Sequence, residues 1–563
     1  MNGFIQTPPK ATLPYSTDVL LKELLESHFS PEQFSEIEND LKKFEQRLEN
    51  EIENYAQDCH QHPPRLIPFD AWGNRIDEIE VAPGWKQLDK VSCEEGIVAI
   101  GYERKYGELS RLYQFAKLYL YHPSSAYYTC PLAMTDGAAK LLENFGSNEQ
   151  KAHAYQNIIS RDPNKFWTSG QWMTERSGGS DISNTETTAI KTGDHYLLNG
   201  VKWFTSATTS QMAMTLARIV DEKGNSVAGS RGLSLFYLEL RDENEKLNGI
   251  EILRLKDKLG TKALPTAELQ LKNTKATLIG EIGAGVKTIA TLFNITRIYN
   301  ATTTVGAWKR LHDLALDYST KRLAFKKKLK DHPLHLQILT NSRIHFEASF
   351  HLVSYVASLL GIEECSKDQH KRENASSILR LLTPIAKLYT AKNFMGHCSE
   401  MIESFGGAGY IEDTGLPMWL RDAQVFTIWE GTTNVLSLDV LRAMIKENAF
   451  TPWAQMITKT LHEIKSSELQ DMISDVLSLI KQTVEFVTTH SNSSPEILES
   501  KMRALSFRIG DITCATLMLE HTTRNLTSKN LYSAKRFIKE LNRTELERAV
   551  DLKAESSFLS GQA

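Results

Sequence analysis

The sequence predicts a multidomain α+β protein, ordered helical, β, helical, with a further helical module at its C-terminal end. Three observations carry this. The 563 residues exceed what one hydrophobic core fills. Apolar residues recur at helical spacing in the first and last parts of the chain. Between them lie short β-branched or alternating runs separated by glycine, asparagine and aspartate turns, with no helical run among them. The divisions this sets are 1–165, an N-terminal arm and helical domain; 166–282, a β-barrel or sandwich; 283–449, a helical bundle; and 450–563, an additional helical module.

Taken in order, Ser30-Pro31-Glu32-Gln33 is a helix start, with Ser as cap, Pro at the first helical position and Gln33 completing a capping box; the helix is expected to reach Asn54. Gly73-Asn74 predicts a turn, and helical spacing returns from Gly84 to Phe145. The β region holds W-T-S-G-Q-W-M-T-E, T-T-A-I-K-T, H-Y-L-L-N-G-V-K-W-F-T, M-A-M-T-L-A-R-I-V, G-L-S-L-F-Y-L-E-L and A-E-L-Q-L-K-N-T-K, and Asn199-Gly200 predicts a hairpin. After Gly285, Phe346, Phe350, Val353, Ala357 and Leu360 form one stripe and Ile378, Leu382, Ile385 and Tyr389 another, with Pro384 implying a kink. Lys326-Lys327-Lys328 reads as a solvated turn, and Ser491 to Pro495 as an interruption of the last helices.

A formal net charge of -4 argues against a general nucleic-acid binder, which needs surplus Lys and Arg. Six scattered cysteines with no C-x-x-C read as reduced thiols, and no apolar run is long enough to span a bilayer. With no recognisable targeting signal the expected location is cytoplasmic, a mitochondrial one staying open.

The stretch from Phe405 to Arg442 carries the chemistry. It opens on a glycine-dense turn and delivers one carboxylate, Glu430, between Trp429 and Gly431. A carboxylate against an indole, backed by a residue without a side chain, can be desolvated and can approach a ligand closely, as a general base requires. The competing reading is a carboxylate that answers Arg421 or a helix N-terminus.

Two motifs, M-T-E-R-S-G-G-S-D (Met173 to Asp181) and F-G-G-A-G-Y joined to R-D-A-Q-V-F-T-I-W-E-G-T-T-N-V, resemble the signatures of the acyl-CoA dehydrogenase family. P-F-D-A-W-G-N-R-I-D-E, L-R-L-K-D-K-L-G and the added C-terminal module look most like its AidB-type branch. The resemblance implies an N-terminal helical domain, a middle β-barrel and a C-terminal four-helix bundle plus the extra module. It implies an FAD-dependent acyl-CoA dehydrogenase, or a fatty acyl-CoA binder, for medium- to long-chain fatty acyl-CoA in lipid metabolism. There the base removes the α-proton while the β-hydrogen leaves as hydride to flavin N5. The branch also includes nucleic-acid-associated stress-response flavoproteins with little dehydrogenase activity, which is the alternative.

Carried over position by position, Glu430 matches the base, and the position that supplies it in a minority of members falls on Thr296, which cannot do that work. The backbone N–H of Glu430 is implied as a donor to the thioester oxygen, with Gly431 permitting close approach. Gln171, Met173, Thr174, Gly179, Phe204, Thr205 and Ser206 match contacts to the flavin; Arg322 and Phe325 match those to the diphosphate and adenine; Thr432, Thr433 and Asn434 fall beside the cofactor. Glu403, Ser404, Phe405, Gly406 and Gly407 match the turn that meets the FAD of a neighbouring subunit, which implies a homodimer or tetramer. Ser180, Asn294 and Arg297 match contacts to acyl-CoA. The implied electron acceptor is an electron-transferring flavoprotein, and no metal is implied.

Overall fold

The computed structural model describes residues 6–11, 13–490, 495–541, 546 and 551–560. The N-terminal part holds α1 (Val19–His28), α2 (Pro31–Arg47), α3 (Glu53–Gln61), α4 (Pro83–Glu94), α5 (Ala99–Glu103), α6 (Ser110–Tyr121), α7 (Thr129–Phe145) and the short α8 (Asn148–Gln150) and α9 (Gln156–Ile158). Ser30 caps α2 as expected, with reciprocal bonds of 3.3 and 3.2 Å to Gln33. The helical path does not stop at Asn54. A π-helical turn at Leu48–Ile52 carries it into α3 and on to Gln61. A hairpin of β1 (Arg65–Phe69) and β2 (Arg75–Glu80) turns at Gly73-Asn74 and reaches the β region, where the Asp77 carboxylate accepts the Ile252 N–H at 2.9 Å.

The middle region is a closed β-barrel. Its strands are β3 (Ser169–Trp172), β4 (Thr188–Thr192), β5 (His195–Ser206), β6 (Met212–Val220), β7 (Leu233–Glu239), β8 (Ile250–Leu255) and β9 (Thr266–Ile279). Pairings β6–β4, β4–β5, β5–β9, β9–β7 and β7–β6 close the ring, with β3 beside β6 and β8 beside β9. Closure removes the open edges that a sheet of this size otherwise exposes. Inside lies a core separate from the helical one, built on Trp172, Leu198, Phe236, Leu238, Leu269 and Leu271.

Two expectations fail here. Asn199-Gly200 is no hairpin: β5 runs through it, and the register against β9 shifts between Leu198 and Asn199. Asn199 trades hydrogen bonds with Asn273 of β9 (3.0 and 2.9 Å), and a Cβ on Gly200 would lie 2.3 Å from the Thr187 hydroxyl. The pair marks a bulge and a close backbone approach, for which glycine is equally suited. The β4–β5 hairpin turns instead at Gly193-Asp194, with Gly193 at φ +60. The second failure is β8, whose I-E-I-L-R-L run sequence patterning did not single out.

The C-terminal domain packs α10 (Gly285–Lys321), α11 (Pro333–Cys365), α12 (Gln369–Ser404) and α14 (Thr433–Glu447), with α13 (Leu416–Phe426) lying on α10 and α12. Both expected stripes are buried, and α12 continues through Pro384 as one helix. Lys327–Lys328 pairs with Leu323–Ala324 in a two-residue hairpin whose tip, Phe325, is 92% exposed. The additional module, α15 (Phe450–Glu463), α16 (Gln470–His490), α17 (Pro495–Arg524), α18 (Ser528–Glu540) and α19 (Leu552–Leu559), packs through α15, α17 and α18 on α11, α12 and α14. Of the interruption expected at Ser491 to Pro495, residues 491–494 lie outside the described residues and Pro495 opens α17. Apart from α19, which buries no residue, these helices share one core with the N-terminal domain. A buried ion network pins them: Arg111 of α6 bonds Asp136 of α7 at 3.0 Å and Glu364 of α11 at 2.7 Å, and Tyr299 of α10 donates to Asp136 at 2.9 Å.

Candidate active site

Glu430 stands in the turn between α13 and α14, at φ +58, followed by Gly431 at φ +105. A non-glycine residue in this left-handed region carries strain of about 1 kcal/mol or more. Three elements converge on it. From β3, the Gln171 amide donates to one carboxylate oxygen at 3.0 Å; from α10, the Thr296 hydroxyl donates to the other at 2.6 Å. The Arg297 guanidinium donates to the Glu430 carbonyl at 3.3 Å and pairs with Asp439 at 2.7 Å. From α12, the buried Lys387 ammonium donates to the Gly431 carbonyl at 2.6 Å.

Burial pushes the Glu430 carboxyl above the ordinary carboxylate range, and the Thr296 hydroxyl, Arg297, Lys387 and Gln171 offset only part of that. Burial also brings Lys387 down to about 7, against the pull of Glu430. Arg421 does not answer Glu430: its guanidinium donates to Glu412 at 2.8 Å, and its neighbour Asp422 is buried, accepting the Thr261 N–H at 2.6 Å. Burial raises Asp422 to about 6. A carboxylate with a raised pKa, gripped by two neutral donors and set in a strained turn, is equipped to accept a proton.

The Ser206 end of β5 reaches the same place. The Ser206 hydroxyl lies 3.1 Å from that of Thr266, which also accepts from Lys258 at 3.0 Å. Cys130 of α7, its thiol pushed up to about 12 by burial, feels both the Glu430 charge and the Ser206 hydroxyl. The structure thus brings together Gln171, Arg297, Glu430 and Gly431, with Ser206 beside Cys130.

The other expected residues are distributed as follows. Met173 is buried and Thr174 partly so; a Cβ on Gly179 would lie 3.1 Å from the Thr174 methyl, and Ser180 is exposed. Phe204 presents its ring outward on β5, 53% exposed, whereas the Thr205 hydroxyl points into the barrel wall and donates to the Ala267 carbonyl at 2.7 Å. Arg322 donates to Gln6 at 3.0 Å. Phe405 is buried against Tyr318, with Glu403, Gly406 and Gly407 exposed and the Ser404 hydroxyl bonded to Met401. Thr432 is exposed at the start of α14, Thr433 is buried, and Asn434 accepts from Arg503 of the extra module at 3.2 Å. Asn294 is exposed on α10.

Sequence reasoning missed Lys387 and the bond from Thr296. A lysine inside the apolar run I-A-K-L-Y was the available signal for the first; nothing local signalled the second.

The site also fits a planar, hydrogen-bonding cofactor. Among the described residues, the Gln171 carbonyl oxygen and the Trp429 indole N–H are buried without partners, an acceptor and a donor flanking Glu430. Glycines at 178 and 179 and the outward Phe204 ring supply close approach and an apolar face.

Four family models match: the AidB N-terminal domain over residues 6–162, the acyl-CoA dehydrogenase middle domain over 170–274, the acyl-CoA dehydrogenase C-terminal domain over 283–445, and the acyl-CoA dehydrogenase 11 C-terminal domain-like model over 448–557. The chain is 43% identical over 533 residues to acyl-CoA dehydrogenase family member 11 of Caenorhabditis elegans, covering 92% of this chain and 86% of that protein. It is 28% identical to the putative acyl-CoA dehydrogenase AidB of Escherichia coli, over 69% of this chain and 70% of that one. The crystal structure of Caenorhabditis elegans ACDH-11 in complex with C11-CoA superposes with a TM-score of 0.95 at 41% identity, covering 99% of this chain and 97% of that chain. With helical, barrel and helical domains in this order and likeness along nearly its whole length, the chain belongs to the acyl-CoA dehydrogenase family, whose cofactor is FAD.

Proposed function

We propose that the protein is an FAD-dependent dehydrogenase of medium- to long-chain fatty acyl-CoA, with Glu430 as the catalytic base. One observation carries this: the half-buried Glu430 carboxylate, its pKa raised, accepts from Gln171 of β3 and Thr296 of α10. The C11-CoA complex of the Caenorhabditis elegans relative supports the substrate class. FAD, when bound, supplies the acceptor for the hydride leaving the β-carbon. Glu430 takes the α-proton, while Thr296 and Gln171 fix the direction of its two oxygens. Its backbone N–H is the donor for the thioester oxygen as charge develops there. Met173, Thr174, Gly179, Phe204 and Ser206 line the flavin side, Ser180, Asn294 and Arg297 the acyl-CoA side.

By the resemblance, Arg322 and Phe325 meet the diphosphate and adenine and the 403–407 turn meets the FAD of a neighbouring subunit, which makes the working enzyme a homodimer or tetramer that passes electrons to an electron-transferring flavoprotein. Exposed Phe325, Tyr410 and Ile411 support an interface there. The test is the flavin spectrum of the purified protein during anaerobic addition of acyl-CoAs of graded length. Bleaching by medium to long chains is expected, and its absence with every chain length refutes the dehydrogenase.

The nucleic-acid reading of the branch loses support in the extra module. Lys501 and Arg508 are buried there, Arg503 donates to Asn434, Arg536 donates to Asn341 at 2.9 Å, and the exposed Lys459, Lys481 and Arg524 each lie beside a glutamate, so these cations are not a free surplus for phosphates. Arg543 lies outside the described residues. Salt-dependent binding of duplex DNA at physiological ionic strength restores that reading.

A further inference from the structure

The middle of α12 is apolar: Ile385, Ala386, Leu388 and Tyr389 are all buried, and Lys387 is fully buried among them. A lysine in such a place costs several kcal/mol unless its ammonium is bonded or neutralised. Its Nζ reaches across to the chain between α13 and α14 and donates to the Gly431 carbonyl at 2.6 Å. That carbonyl belongs to the second of two consecutive left-handed residues, the first being Glu430. Strain of this kind persists where the surroundings over-determine it.

We propose that Lys387 is a positioning residue for Glu430: by gripping the Gly431 carbonyl it locks the strained turn that aims the carboxylate, and its ammonium supplies a buried positive charge beside it. The inference rests on the dehydrogenase reading for its functional meaning, but not for its structural content.

The other groups facing Glu430 have different roles. Arg297 of α10 is already paired with Asp439 and meets the Glu430 backbone rather than its carboxylate. Thr296 of α10 and Gln171 of β3 are neutral donors, and Cys130 of α7 stays a neutral thiol, its titration pushed up to about 12 by burial. The charge of Lys387 opposes the desolvation of Glu430. The Arg297 charge also opposes it, but Lys387 differs from Arg297 in having no salt-bridged carboxylate among the described residues.

The experiment compares Lys387→Met, which removes both bond and charge, with Lys387→Gln, which keeps an amide donor. Both are studied as FAD-loaded protein. The first readout is the titration of Glu430 by infrared difference spectroscopy, its carboxyl band identified by its loss in Glu430→Gln. The second is the anaerobic bleaching rate with C11 acyl-CoA. Both variants are expected to move the Glu430 titration to higher pH and, below pH about 7 where Lys387 is charged, to slow bleaching by about tenfold, because each 1.36 kcal/mol of lost charge stabilisation is about a factor of ten. Lys387→Met is expected to be slower than Lys387→Gln, because only it also frees the turn. An unmoved Glu430 titration in both variants overturns the proposal even if their melting temperatures fall, since a purely structural lysine changes stability alone. Wild-type protein that never bleaches, together with a moved titration in the variants, refutes the dehydrogenase and leaves the lysine clamp standing.

Discussion

Thr296→Val removes one hydroxyl from the site while keeping the β-branched shape on α10. The hydroxyl donates to Glu430 at 2.6 Å, a short bond to a group that is ionised when it works as a base. Hydrogen bonds to charged partners contribute about 1.5–3 kcal/mol. At 1.36 kcal/mol per factor of ten, their loss lowers the ionised fraction of Glu430 about ten- to a hundredfold at any pH below its pKa. The sign follows from which form is bonded: the hydroxyl donates to the carboxylate, so removing it favours the protonated acid and adds to the rise already caused by burial. The acid limb of the reaction therefore moves to higher pH, while the rate at high pH, where Glu430 is ionised in both proteins, changes little. Anaerobic stopped-flow bleaching with C11 acyl-CoA across pH measures this, with Thr296→Ser as the control that restores the hydroxyl. Superimposable pH profiles for wild type and Thr296→Val, at equal FAD content, refute the reasoning.

Three further outcomes follow from the same structure. Because the folded state holds Glu430 with a raised pKa, it binds the proton more tightly than the unfolded chain. The ionised carboxylate therefore costs stability that grows as pH rises from the ordinary carboxylate value through the raised folded one; Glu430→Gln should melt higher than wild type at neutral pH, match it in acid and bleach with no acyl-CoA. Arg111→Met leaves Asp136 buried without its cation and Glu364 with Lys140 alone, at 3.0 Å, and should cost about 3–5 kcal/mol by denaturant unfolding. Burial raises Glu364, but Arg111 and Lys140 outweigh it and hold it to about 2, so wild-type stability falls as pH drops from the ordinary carboxylate value toward 2, and acid titration of the variant, which keeps Lys140, should show a smaller such component. Phe325→Asp with Tyr410→Asp places charge on two side chains that are 92% and 91% exposed in the single chain; sedimentation should show smaller assemblies and absorbance a lower FAD content, and an unchanged assembly places the interface elsewhere.

The elements that were legible in the sequence are those whose signals are local. Ser30 and Gln33 meet as a capping box because both partners lie within one turn, and the α11 stripe from Phe346 to Leu360 is buried because helical spacing alone puts it on one face. The Asn199-Gly200 pair misled because its preference for unusual backbone serves a bulge as well as a hairpin, and Thr187 and Asn273, which decide between them, are distant in sequence or on another strand. Glu430 was found from its neighbours Trp429 and Gly431. The bonds to it from Gln171, placed by resemblance at the flavin, and from Thr296 were not, because they span 259 and 134 residues of chain. Thr296 was set aside as unable to act as a base, yet the structure gives it the shortest bond to the residue that can.

The extra module bears on the same helix that carries Lys387. Tyr389, two residues along α12, donates to Asp511 of α17 at 2.8 Å, and Gly510 lies so close that a Cβ there would fall 2.5 Å from the Tyr389 ring. Such an approach is open to glycine alone and leaves little room for α12 to shift or rotate. On the other side of the site, Arg503 of α17 reaches Asn434 in the first turn of α14, immediately after the Glu430 turn. α17 therefore braces both ends of the bond between Lys387 and Gly431: the helix that donates and the segment that accepts. A catalytic turn held in strained geometry needs rigid walls, and here one of those walls comes from the module that lies beyond the bundle.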